Sequence, residues 1–421
     1  MSRVKYILFS LAILSLIGTP YAFADQCYEC HQLWEEGDEA PSVRFKHDVH
    51  FQAGLGCSDC HGGNPELDDM DEVRASIGYK GVPTEREIPE FCGSCHSDPT
   101  YMIKFNPSLP TDQLEKYRTS IHGERLLGKG DTKVANCVSC HSVHNIRSPQ
   151  VPASTVYPMN IPSTCAACHA DKDYMSGYHI PTDQYSDYIK SVHGVALLEK
   201  KDVSAPACND CHGNHGATPP GVTSISAVCG TCHVLESERF SHSPHKEAFD
   251  AADIPECEFC HSNHLVKKPQ LYWVGTSDSA LCVQCHSEGE PGLETAAGIH
   301  EALASMNQAY DTASALIERA DNMGMMVTDL KFQLKDVNQA VIKSRAMIHT
   351  FNVDSVKAVV EPGLETARQT EDAALGKIDD YYFRRKGLGV ATLIITILAV
   401  GLFLKIRSME KRKAGEGRLS R

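Results

Sequence analysis

All 18 cysteines of this 421-residue chain fall in nine Cys-x-x-Cys-His strings, with no thiol left over. The strings are Cys27, Cys30 and His31; Cys57, Cys60 and His61; Cys92, Cys95 and His96; Cys137, Cys140 and His141; Cys165, Cys168 and His169; Cys208, Cys211 and His212; Cys229, Cys232 and His233; Cys257, Cys260 and His261; and Cys282, Cys285 and His286. In each, two thiols can form thioethers to haem vinyl groups and the adjacent imidazole can become the proximal iron ligand. Zinc ribbons and thioredoxin-like sites also use Cys-x-x-Cys, but they have no use for a histidine after every second cysteine. A disulfide framework has none either. The chain is therefore expected to carry nine covalently bound haem c groups, with His31, His61, His96, His141, His169, His212, His233, His261 and His286 as proximal iron ligands.

The strings recur about every thirty residues between Asp25 and Glu290, too short an interval to bury an apolar core of its own. The porphyrins must then serve as the core. Gly62-Gly63-Asn64-Pro65, Asn106-Pro107-Ser108-Leu109-Pro110 and Pro219-Pro220-Gly221 read as turns. The expected fold is mainly α with much irregular structure: a haem-cored body, then a long-helix bundle, then one C-terminal transmembrane helix.

An internal repeat organises the body. Asp112-Gln113, Tyr117, Ser120-Ile121-His122-Gly123, Leu126-Leu127 and Cys137 return 71 residues later as Asp183-Gln184, Tyr188, Ser191-Val192-His193-Gly194, Leu197-Leu198 and Cys208. Both copies continue as Cys-x-x-Cys-His-x-x-His, placing His144 and His215 alike, and each is followed by another string. A looser copy runs from Phe240 through Ser243-Pro244-His245 to His261, His264 and the string at Cys282. Residues 111–290 thus read as three two-haem repeats, and 25–110 as a three-haem region in which Phe45-Lys46-His47-Asp48-Val49-His50 precedes Cys57.

After Glu290 the apolar period becomes helical. Ile299, Leu303, Met306, Tyr310, Ala313, Ile317 and Ala320 alternate at four and three residues, and Met323, Val327, Leu330, Leu334, Val337 and Val341 continue after a slip. Phe351-Asn352-Val353-Asp354 breaks the pattern, with Asn352 or Asp354 as N-cap of a further helix to Phe383. That helix is about 45 Å long, whereas Thr295 to His349 as one helix would reach about 80 Å. Folding the longer stretch back beside the shorter requires a break, and Met323-Gly324-Met325 is the natural place. Residues 291–386 are read as a three-helix bundle, its methionines as core.

The chain's two ends carry address signals. Arg3 and Lys5 precede an apolar run from Tyr6 to Ile17, and Ala22-Phe23-Ala24 offers a cleavage site, so residues 1–24 read as a secretory signal peptide. Gly387 to Leu404 is uncharged and about the minimum length for a membrane span. Arg384, Arg385 and Lys386 precede it. Lys405, Arg407, Lys411, Arg412, Lys413, Arg418 and Arg421 follow it, which makes 407–421 a cytoplasmic tail and 387–406 the anchor. The expected location is the inner membrane, single-pass, with the body in the periplasm. Residues 384–421 carry +8 and residues 1–24 carry +2, so a formal charge of −14 leaves −24 on the rest. Such a body repels nucleic acid and suits partners with a basic docking face.

Twelve histidines lie outside the strings, ten of them in the haem region: His47, His50, His122, His144, His179, His193, His215, His242, His245 and His264. Nine irons with a second imidazole need nine distal ligands, so the inventory closes without methionine. His122, His193, His245, His144, His215 and His264 recur at fixed offsets from strings, which marks them first. His50 or His47 follows, then His179 and His242. His300 and His349 read as bundle histidines.

The Ser-x-His-Gly elements, the Cys-x-x-Cys-His-x-x-His strings and the helices after the last string resemble the multihaem cytochromes c of anaerobic respiration over residues 90 to 383. That group includes pentahaem nitrite reductases, octahaem hydroxylamine oxidoreductase and tetrathionate reductase, and periplasmic electron carriers. The resemblance implies either electron transfer from a quinol-oxidising membrane partner or the quinol pool to a periplasmic or outer-membrane acceptor, or reduction or oxidation of nitrite, hydroxylamine or a sulfur oxyanion at one open haem. Nitrite reductases of the group commonly hold the active haem through a string ending in Lys. All nine here end in His, which favours the carrier. The long helices allow a homo-oligomer as well as an intrachain bundle.

Overall fold

The computed structural model describes residues 26–34, 37–38, 40–217 and 225–419. The expected signal peptide, 1–24, lies outside them. Helices make up 65% of the structure, and among the described residues there is no strand. The chain divides into two compact units, Met1–Val228 with His261–Lys268, and Cys229–Cys260 with Pro269–Arg421.

The N-terminal unit consists of short helices joined by turns, and most strings are themselves helical. Cys57–His61, Cys137–His141 and Cys208–His212 are single turns, while Ile88–His96 and Ile161–His169 enter through a proline in the first turn and run through their strings. The apolar clusters here are small. Tyr188, Leu197 and Ala207 form one, and Leu126 and Leu197, equivalent in the repeat, are both fully buried.

In the C-terminal unit the long helices are Pro291–Asn322, Thr328–Met347 and Val353–Leu419. The first two part where the sequence requires: Met323 ends one helix and Gly324 turns with φ +77°. Asn352 caps the third, its Oδ1 accepting the Ser355 N–H at 2.9 Å. One core cluster, with Ile299, Leu303, Met306, Val341, Val356 and Val360, fills the end nearest Pro291. Another, with Ile317, Ala320, Val327, Leu330, Ala374 and Ile378, fills the hairpin end. Pairing an early residue of the third helix with early residues of the first makes these two run in the same direction, with the second antiparallel between them.

The third helix departs from expectation at its far end. A helix to Phe383 followed by a separate span was expected, yet one helix continues unbroken from Val353 to Leu419. Nothing in Arg384-Arg385-Lys386-Gly387 ends it, because straight-chain basic residues are good helix formers and one glycine costs only about 1 kcal/mol. Its apolar portion is a candidate membrane span with none of it buried, and Leu388, Leu398 and Phe403 are at least 60% exposed. Tyr381, Tyr382 and Phe383, then three cations, stand immediately before it, the composition of a membrane–water boundary. This arrangement fits a single-pass anchor.

Candidate haem-binding sites

No disulfide joins any of the 18 cysteines. Where a string lies in an α-helix, one turn brings its two thiols to the same side, as with Cys27 and Cys30 in Gln26–Trp34 and with Cys208 and Cys211 in Cys208–His212. These four are half-buried. The seventh and ninth strings depart from that form. Their 3₁₀ turns, Ile225–Thr231 and Cys282–Gln284, stop short of the second cysteine and leave Cys232 and Cys285 exposed. Cys140 is exposed as well.

The even-numbered strings share a local design. Gly56, Asn136 and Ala207 precede the second, fourth and sixth, and each N–H donates to the residue three on, to Asp59 Oδ2, Ser139 Oγ and Asp210 Oδ2 respectively. Directly after the proximal histidine the backbone turns left-handed at Gly62 (φ +68°), Ser142 (+70°), Gly213 (+77°) and Ser262 (+66°). For the two serines this region is sterically costly. The turn throws the second histidine of each Cys-x-x-Cys-His-x-x-His away from its own string.

Where those histidines land is the central feature of the site. His144 faces His61 with ring centres 6.1 Å apart, His215 faces His141 at 6.0 Å, and His264 faces His212 at 5.7 Å. Each crosses back to the even-numbered string before its own. The Ser-x-His histidines instead reach forward over one string to the next: His122 faces His169 at 6.1 Å and His245 faces His286 at 6.0 Å. His50 does the same, facing His96 at 5.9 Å. The repeat therefore extends one copy further toward the N-terminus, to residues 48–96, inside the stretch read from sequence as a separate three-haem region. Aspartate in place of serine before His50 hides that copy.

These spacings are those of two axial ligands on one iron. Two metal–nitrogen bonds of about 2.0 Å, plus about 1.1 Å from each nitrogen to its ring centre, put the centres about 6 Å apart. The ring nitrogens are also directed. His61 Nδ1 donates to Gly81 O at 2.8 Å and His50 Nδ1 to Asp48 Oδ1 at 2.8 Å, which leaves Nε2 free to face the metal position.

Ser-x-His-Gly is explained by its backbone. Ser120 Oγ donates to Tyr117 O at 2.7 Å and accepts the Gly123 N–H at 3.0 Å, and Ser191 repeats both bonds with Tyr188 and Gly194. A Cβ on Gly123 would stand 1.9 Å from Tyr117 O, and on Gly194 2.0 Å from Tyr188 O. Only glycine admits so close a turn. The tyrosines are tied in as well, Tyr117 Oη donating to Ala135 O at 2.8 Å and Tyr188 Oη to Pro206 O at 2.9 Å, each just ahead of a string.

Consecutive strings also touch. The helix Gln26–Trp34 packs on Cys57–His61, Ile88–His96 on Cys137–His141, and Ile161–His169 on Cys208–His212. Cys92 lies beside Cys137, Cys165 beside Cys208, and Cys229 beside Cys257. Between these contacts, Cys60 lies within electrostatic range of Cys95, Cys140 of Cys165 and Cys168, and Cys260 of Cys282 and Cys285.

Of the other sequence candidates, His193 has the position in its copy that His122 has in the preceding one. His47, His179 and His242 are exposed, and His242 turns its Nδ1 to Glu238 O at 2.8 Å. His300 is held by Val274 O at 2.7 Å. Two contributors were not legible as such. Asp48 is buried against His50, although its register with Ser120, Ser191 and Ser243 was a usable signal. Phe351 stacks on His245 with centres 3.8 Å apart, and nothing in the sequence announces it.

Residues 43–142 match the family model described as cytochrome c7 and related cytochrome c. Residues 242–291 match the doubled CXXCH motif, a range that encloses His245 and His286 together. No curated protein and no solved structure matches the chain. Sites and matches together define a multihaem c-type cytochrome that binds haem c covalently. Its particular features are a cytochrome c7-like domain, paired CXXCH motifs and one C-terminal helix able to span a membrane.

Proposed function

We propose that this protein is an exported, membrane-anchored carrier of electrons in anaerobic respiration, with nine haem c groups, most or all of them held between two imidazoles. The observation that carries the reading is the set of six facing histidine pairs, 5.7 to 6.1 Å between ring centres. Haem in such a site supplies a reversible one-electron change at iron. The chain's part is to hold both axial positions so that the change needs little rearrangement. By the repeat, His193 takes the same role as His122. Contacts between successive strings support a path that follows chain order, from the first string to the sixth and from the seventh to the ninth.

The bundle bears on the partner. His286 of the ninth string packs against the first turn of the first bundle helix, where a Cβ on Gly292 would meet its ring at 2.4 Å. Phe351, stacked on its facing His245, lies just before the third helix. The ninth string is thus at the bundle end remote from the anchor, and Val353 to Lys386 spans about 50 Å. Electron tunnelling falls off exponentially with distance, so lipid-dissolved quinol is out of reach of this haem. Its partner is a redox protein, and the acidity of the body suits one with a basic face. With the signal peptide leading and the basic tail following, the body stands in the periplasm on the inner membrane.

The test is spectroscopic. The purified ferric protein should show only low-spin haem by electron paramagnetic resonance, and the reduced protein should bind no stoichiometric carbon monoxide. A high-spin signal near one haem per chain, with turnover of nitrite, hydroxylamine or tetrathionate, would replace the carrier with an oxidoreductase.

A further inference from the structure

In the other copies of the repeat, the residue two before the forward-reaching histidine is Ser120, Ser191 or Ser243. The first two of these bond only backbone: their hydroxyls donate to a carbonyl and accept a glycine N–H. Ser243 likewise donates to Phe240 O at 2.7 Å. In the first copy Asp48 stands there, 1% exposed. Its Oδ1 accepts both the His50 N–H, at 2.9 Å, and His50 Nδ1–H, at 2.8 Å. Its Oδ2 accepts the Ile146 N–H at 2.7 Å, two residues beyond His144, and the adjoining Val49 N–H donates back to Ile146 O at 2.8 Å. The carboxylate therefore caps the helix, docks the next copy's returning loop and grips the ring whose other nitrogen faces His96.

We propose that Asp48 is a tuning residue that, through His50 Nδ1–H, makes the haem of the third string lower in potential than a serine in its place would allow. A carboxylate accepting the Nδ1 proton gives the imidazole partial imidazolate character and raises its basicity as a ligand. The more basic ligand and the nearby negative charge both favour ferric over ferrous iron. Asparagine cannot do this without turning either its oxygen from His50 or an N–H toward the Ile146 donor. The inference rests on His50 being an iron ligand, and the experiment separates the two ideas.

The holoprotein and its Asp48→Asn, Asp48→Ser and His50→Met variants are compared by spectroelectrochemical titration and electron paramagnetic resonance. In His50→Met one low-spin signal must change, whatever Asp48 does; if none does, the ligand assignment fails. In Asp48→Asn and Asp48→Ser all haems should stay low-spin, while one midpoint rises and its g-values shift toward those of a neutral bis-imidazole haem. Unchanged midpoints in both variants overturn the tuning role. Loss of a low-spin signal in both also overturns it, because Asp48 would then serve only to keep His50 in place.

Discussion

Gly363 offers a sharp test of how the bundle is held. It lies three turns into the third helix, where a Cβ would stand 2.6 Å from Ala340 Cβ and 2.8 Å from Met306 Sδ. The methionine tip can swing aside, but the Ala340 methyl is fixed to its own helix, so Gly363→Ala must push two helices apart or strain both. Overpacking of this kind costs about 1–3 kcal/mol. Alanine also gains about 1 kcal/mol over glycine in a helix interior, which blurs the single measurement. Gly376 in the same helix has nothing within 4 Å of its would-be Cβ, so Gly376→Ala carries the gain without the clash. The difference between the two variants isolates the clash, about 1–3 kcal/mol, or on the order of 5 °C in midpoint for a unit of this size. Thermal unfolding of the detergent-solubilised holoprotein, followed by helix circular dichroism, should place Gly376→Ala at or above the parent and Gly363→Ala below it. Equal midpoints, or Gly363→Ala the more stable, would refute the close approach of the second and third helices.

Truncation before Gly387 should release a soluble, fully haem-loaded body, and continued pelleting with membranes would contradict the anchor. His141→Ala combined with His215→Ala should open one iron, binding at most one carbon monoxide per chain; two equivalents would mean that the two histidines serve different haems. Tyr117→Phe and Tyr188→Phe should each lower stability by about 1 kcal/mol and by similar amounts, read by urea denaturation, since each removes one equivalent bond to the turn ahead of a string. Met306→Ala, at a fully buried position, should cost about 2–5 kcal/mol in the same assay.

Sequence alone settled what depends on neighbours along the chain. Cys-x-x-Cys-His is a complete local motif, so the expected thioether cysteines and proximal histidines are named from sequence residue by residue. The bundle helices and the break at Gly324 follow from apolar period and from the length that must fold back. Tertiary structure decided what depends on distant partners. His144 is three residues from His141 yet faces His61, because Ser142 turns left-handed and carries it back to the preceding copy. His47 and His50 were equal candidates until Asp48, anchored to Ile146 about a hundred residues on, drew one inward. The third helix runs through its charged boundary because tolerated residues do not stop a helix already formed and packed. The facing histidine pairs join residues that only the folded chain brings together, and a repeat in sequence shows that the same pairing recurs without showing which copy it reaches.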